Sequence, residues 1–150
     1  MELQTPRPTA KGPGRTFTGD VYVTPVYTGQ EPSRMGVALV RFTPGAHSNW
    51  HSHAVGQTLH VTEGVGLVGT RDGTVRRLRA GDTVICPPGE EHWHGAAADT
   101  FMSHLAMLEN LPGGGDPPPG WRRYRTGRTG QPTAVSCGAL QGDCPRQYPR

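Results

Sequence analysis

The feature that most limits what this chain can fold into is the shortness of its apolar runs. None exceeds four or five residues, and turn-forming clusters of Gly, Pro and Asp separate them. Such runs cannot lay down the i, i+3, i+4, i+7 stripe of an amphipathic helix, but they suit short strands bounded by turns. β-type runs fall at residues 21–24, 37–42, 57–62, 65–69, 75–78, 83–86 and 101–108. Between them lie Thr43-Pro44-Gly45, Glu63-Gly64, Asp72-Gly73, Ala80-Gly81-Asp82 and Pro87-Pro88-Gly89. Arg71-Asp72-Gly73-Thr74 predicts a hairpin, because Asp-Gly accepts the positive φ angles of a tight turn. Many short strands at this spacing predict an all-β sandwich or barrel.

Alternation along these strands assigns faces. Gln57, Leu59 and Val61 share one side, with Thr58 and His60 on the other. In 101–108, Met102, His104, Ala106 and Leu108 lie opposite Phe101, Ser103, Leu105 and Met107. Both sides of that last strand are apolar enough for a strand covered on each face.

Glycine (22) and proline (15) make up about a quarter of the 150 residues, and their placement divides the chain. Residues 1–16 are polar and Pro-rich, and are expected to be a flexible lead. Residues 17–111 carry the strand pattern. Residues 112–150 open on Pro112-Gly113-Gly114-Gly115-Asp116-Pro117-Pro118-Pro119-Gly120, which suits neither a helix nor an inner strand, and are expected to be a disordered Gly/Pro/Arg-rich tail. The net charge of +3 divides in the same way: the tail carries six Arg against Asp116 and Asp143, whereas residues 1–111 carry nine Lys or Arg against ten acidic groups. The body therefore gives no reason to expect a nucleic-acid partner. Cys86, Cys137 and Cys144 form neither a metal-ligand spacing nor an even disulfide framework. With no secretory pattern at the N-terminus and no run long enough to span a bilayer, a cytoplasmic protein without a membrane partner is expected.

Five of the seven histidines fall in two clusters, His47/His51/His53 and His92/His94. His51-Ser52-His53 on extended chain puts two imidazoles on one face with Cα atoms about 6–7 Å apart, close enough to chelate one ion. Gln57 follows four residues later, and His92 comes from a distant strand to complete a nitrogen- and oxygen-rich set. His94, two residues past His92, points the same way along the strand, and His104 lies on the inner face of the last strand. Two imidazoles that are not ligands can act as an acid/base pair, since imidazole titrates near pH 6.5. Ala38, Val40, Leu59, Met102 and Leu108 would supply apolar walls for a small-molecule substrate. His47 and His60 are read as surface or satisfied groups.

These residues carry a resemblance to a known family. Gly45-(x5)-His51-x-His53-(x3)-Gln57-(x6)-Gly64 resembles the first cupin motif, with Gln where Glu is commonest. Gly81-(x5)-Pro87-x-Gly89-(x2)-His92 resembles the second, with Ala96 where the motif often has Asn, and sixteen residues separate the two. The resemblance implies a double-stranded β-helix, or jelly-roll, barrel over 17–111, one divalent metal per chain inside it, and a homodimer. Four neutral ligands would leave the ion its full charge and make it a stronger Lewis acid than a site containing a carboxylate. Manganese is the first expectation for the metal, with iron, nickel or zinc as alternatives. The segments around His51 and His92 look most like the bacterial cupin hydroxynitrile lyases. That resemblance implies His51, His53, Gln57 and His92 as ligands, with His94 and His104 in acid/base roles. Expected first is a metal-dependent lyase acting on a small hydroxylated or carbonyl compound. The alternatives are a cupin dioxygenase cleaving a C–C or C=C bond at iron, and a ligand-binding cupin without catalysis.

Overall fold

The structure is a computed structural model that describes residues 1–110, so the expected tail lies outside the described residues. Among those residues there are ten strands and no helix, and hence no helix long and apolar enough to cross a membrane. In chain order they are β1 (Ala10–Lys11), β2 (Phe17–Thr18), β3 (Val21–Thr28), β4 (Met35–Phe42), β5 (His47–Ser48), β6 (Gln57–Thr70), β7 (Val75–Arg79), β8 (Thr83–Cys86), β9 (His92–Ala96) and β10 (Met102–Glu109). All pair antiparallel.

The strand that organises the rest is β6. Its first half pairs with β10 and β8, and its second half pairs with β9 and β7. One layer therefore runs β1-β3-β4-β10-β6-β8 and the other β7-β6-β9-β5-β2, with β6 common to both. The sequence pattern predicted two strands here, broken at Glu63-Gly64; the chain is instead continuous and changes layer there. A register shift against β10 between Ser103 and His104 marks the bend, and Gly64 sits just beyond it at φ +75°. A Cβ at Gly64 would stand 1.9 Å from the Phe101 carbonyl oxygen, so no side chain fits without moving the backbone.

The expected lead also contributes structure, because Ala10–Lys11 pairs with Val23 and Tyr22, and Pro13–Phe17 forms a turn. The Asp72-Gly73 hairpin is present, with the Gly73 amide bonded to the Thr70 carbonyl and Gly73 at φ +88°. Between the layers lies one core, which includes Val21, Val40, Phe42, Leu59, Val61 and Met102 from the first and Val68, Leu78 and Ala96 from the second. On β10 the outward Leu105 and Met107 are only half-buried, while Ser103 is buried. The described chain therefore covers that outer face in part.

Gly64→Ala is expected to destabilise the fold by at least about 1–2 kcal/mol, the cost of left-handed backbone for a residue with a Cβ, before the carbonyl clash is counted. Thermal unfolding of the two proteins side by side checks this, and an unchanged melting temperature would refute the bend as described.

Candidate metal centre

Strand register places the inner-face side chains in rows. One row runs Gly36–Leu108–Gln57–Cys86, the next Ala38–Ala106–Leu59–Val84, and the next Val40–His104–Val61. On the facing layer, His92 lies opposite Thr70 and His94 opposite Val68, both pointing inward along β9. Two contacts then cross the interior. Gln57 Oε1 stands 3.1 Å from His92 Nε2, and His104 Nε2 stands 3.2 Å from His94 Nδ1.

The segment between β5 and β6 brings the remaining histidines. His51 and His92 exchange backbone hydrogen bonds of 3.0 and 2.9 Å, which places their side chains on the same face with ring centroids 4.4 Å apart. His53 lies two residues on, with its ring 5.1 Å from His51 and 5.9 Å from His92. Its carbonyl accepts the amides of Gly56 and Gly89, tying together the loops that carry the two histidine motifs. Gly56 takes φ +83° against the Cys86 carbonyl, where a Cβ would approach to 2.7 Å.

His51, His53 and His92 can each offer one ring nitrogen within 4.8 Å of the others, so the three could hold a metal ion. The surrounding hydrogen bonds say which nitrogens are free. His51 Nδ1 donates to the Asn49 carbonyl at 2.8 Å, and His92 Nδ1 donates to the Glu90 carbonyl at 2.9 Å. Each neutral ring then turns an Nε2 lone pair inward, the usual arrangement for a metal-ligating histidine. His53 Nε2 is buried without a hydrogen-bond partner. Gln57 Oε1 lies 3.1 Å from His92 Nε2, so the amide joins the ring nitrogens turned inward. The donor set therefore fits a divalent metal.

Burial lowers the pKa of His51 and of His53 to about 4 in each case, assisted by the neighbouring histidines; His92 is lowered chiefly by burial. Burial likewise holds His104 down to about 4 and His94 well below its ordinary value. All five rings are neutral near pH 7, which suits both coordination and proton transfer.

His94 Nε2 and His104 Nδ1 are buried and unpartnered. Since one ring donates to the other across 3.2 Å, either tautomer leaves one of these outer nitrogens bearing a proton and the other bare. Phe42 packs against both rings, at centroid distances of 5.7 and 5.4 Å, and Ser48 Oγ accepts the His94 backbone amide.

The structure thus brings together His51, His53, Gln57, His92, His94 and His104. Of the expected walls, Val40 and Leu59 are buried, and Ala38 and Leu108 are half-buried in the rows beside Gln57 and His104. Met102 is fully buried at the far end, packed on Gly66. His47 bonds to its neighbour's carbonyl and meets Trp93 edge-on, and His60 bonds to Thr83, so neither joins the cluster. Sequence reasoning missed Phe42, which strand alternation could have found, and the carbonyls of Asn49 and Glu90, for which no side-chain pattern exists.

Fold and site together define a small antiparallel β-barrel in which three clustered histidines could hold a metal ion. The chain belongs to the cupin family: residues 38–108 match the cupin domain, and a relative described as (R)-mandelonitrile lyase from Granulicella tundricola is 47% identical over 103 residues, 69% of this chain and 79% of the relative. The crystal structure of a cupin-like protein from Thermotoga maritima shares 37% identity at a TM-score of 0.65, over 73% of this chain and 81% of that one. A cupin 2 conserved barrel domain protein from Rhodopseudomonas palustris, 17% identical with a TM-score of 0.61 over 69% of this chain and 72% of that one, shares the fold.

The lowered histidine pKa values set the stability of the metal-free protein against pH. Unfolded imidazoles take up protons near pH 6.5, while folded His51, His53 and His104 do so only near pH 4. Below about pH 6.5 the unfolded chain binds more protons, so stability falls as pH drops and levels off below about 4. Melting temperatures of chelator-treated protein from pH 8 to 4 should be flat at first and then decline; a flat profile down to pH 4.5 would contradict the neutral cluster.

Proposed function

We propose that the protein is a metal-dependent lyase of small hydroxylated or carbonyl compounds, and in particular a hydroxynitrile lyase. The observation that carries this reading is the His94–His104 contact, a buried imidazole pair with two unpartnered nitrogens beside the three-histidine group. A relative at 47% identity described as (R)-mandelonitrile lyase supports the same chemistry.

His51, His53, Gln57 and His92 would hold the ion, with manganese first and iron, nickel or zinc as alternatives. When bound, the metal supplies Lewis acidity toward the substrate oxygen. The bare outer nitrogen of the imidazole pair takes the proton of the substrate hydroxyl. As the C–CN bond breaks, its electron pair leaves with cyanide and the carbonyl forms. The protonated outer nitrogen of the partner ring gives its proton to cyanide, and the proton shared between the rings shifts across, so the pair begins and ends neutral. Burial of both rings keeps water from competing for these protons. Ala38, Val40, Leu59 and Leu108 are the apolar side chains proposed to face the substrate, whereas Met102, packed on Gly66 at the far end, is not.

The test is mandelonitrile cleavage by the full chain with each metal restored in turn. Manganese-dependent release of benzaldehyde and cyanide is expected. His92→Ala should lose the metal, whereas His104→Ala should retain it and lose about 10²–10⁴-fold in rate, the usual worth of positioned proton transfer. Equal metal loss in both variants would overturn the division of roles. Oxygen consumption without cyanide release would point to dioxygenase chemistry instead.

A further inference from the structure

We infer that the N-terminal turn, residues 13–18, is a positioning element of the metal centre and acts through Asn49. Every polar group of Asn49 is engaged. Its backbone amide donates to the Thr16 carbonyl at 2.8 Å, its Nδ2 donates to the Arg15 carbonyl at 3.2 Å, and its Oδ1 accepts the Thr18 hydroxyl at 2.9 Å. Its remaining group, the carbonyl, accepts His51 Nδ1 at 2.8 Å. Three bonds thus fix the residue to the turn and the fourth orients a histidine of the cluster.

His92 provides an internal comparison. Its ring is also oriented by the carbonyl two residues earlier, at Glu90, but that carbonyl sits in a local turn closed by the Glu90 amide on Pro87. For His51 the support comes from more than thirty positions back along the chain. The turn is itself ordered, since the amides of Thr16 and Phe17 both bond to the Pro13 carbonyl and β2 pairs with β5. The same turn reaches the imidazole pair by a second route: Phe17 packs edge-on against Phe42 at 6.0 Å, and Phe42 touches His94 and His104. Asn49 touches no reacting atom; its effect passes through the angle and tautomer of His51.

This inference rests on the three-histidine group as the metal site, and cobalt(II) separates the two claims. The full chain is loaded with cobalt(II), its dissociation constant is read by chelator competition, and its visible absorption spectrum is recorded. Asn49→Ala, which removes both side-chain anchors, is expected to weaken cobalt binding by roughly tenfold or more and to alter the spectrum. Thr18→Val, which removes one hydroxyl, is expected to move both in the same direction by less, and it carries the test alone should Asn49→Ala fail to fold. Thr83→Val, which removes the partner of half-buried His60 from an exposed position, is expected to match the parent protein and controls for the loss of a surface hydrogen bond. Parent-level affinity and an unchanged spectrum in Asn49→Ala and Thr18→Val would overturn the inference while leaving the metal site intact. Failure of the parent protein to take up cobalt would overturn both claims.

Discussion

Two polar contacts across the barrel interior, Gln57 to His92 and His104 to His94, are the constraint around which this molecule is built. A buried polar group left without a partner costs about 1–3 kcal/mol, so evolution of a stable core alone would favour apolar residues at these positions. Here the inner faces of β6, β9 and β10 meet through imidazoles and one amide, with apolar rows on either side. The fold supplies the necessary approach because β6 belongs to both layers. Its first half carries Gln57 beside β10, and its second half is the partner of β9 and so sets where His92 and His94 stand. The bend at Gly64 brings the two inner faces toward each other.

Within that seam the histidines divide by what their outer nitrogens meet. His51 and His92 each spend one nitrogen on a main-chain carbonyl and turn the other inward, which is a ligand's arrangement. His94 and His104 spend one nitrogen on each other and leave one apiece free, which suits proton movement. Burial keeps all of these rings neutral near neutral pH, and that one physical effect serves both uses. A charged imidazole can neither coordinate a cation nor accept a proton.

Much of this was legible in the sequence, and the reasons differ from residue to residue. Period-two alternation placed Gln57 and Leu59 on one face, and Met102, His104 and Ala106 on another, because a pleated strand allows no other arrangement. The motif spacings pointed to the cupin family, which the matched domain and relatives bear out. The continuity of β6 was not legible: Glu63-Gly64 reads as a turn, and only tertiary pairing on both sides reveals it as a bend within one strand. The order in residues 10–18 was equally hidden, since that segment is polar and its stability comes from main-chain bonds to β3 and Asn49. Main-chain carbonyls that orient ligands leave no mark on side-chain patterns.

The most direct test of the central claim is a crystal structure of the manganese-loaded protein with anomalous scattering measured near the manganese edge. One anomalous peak per chain is expected, within coordination distance of Nε2 of His51, Nε2 of His92, one ring nitrogen of His53 and Oε1 of Gln57, with His94 and His104 outside its ligand sphere. A peak between His94 and His104, or no peak near the three-histidine group, would contradict it.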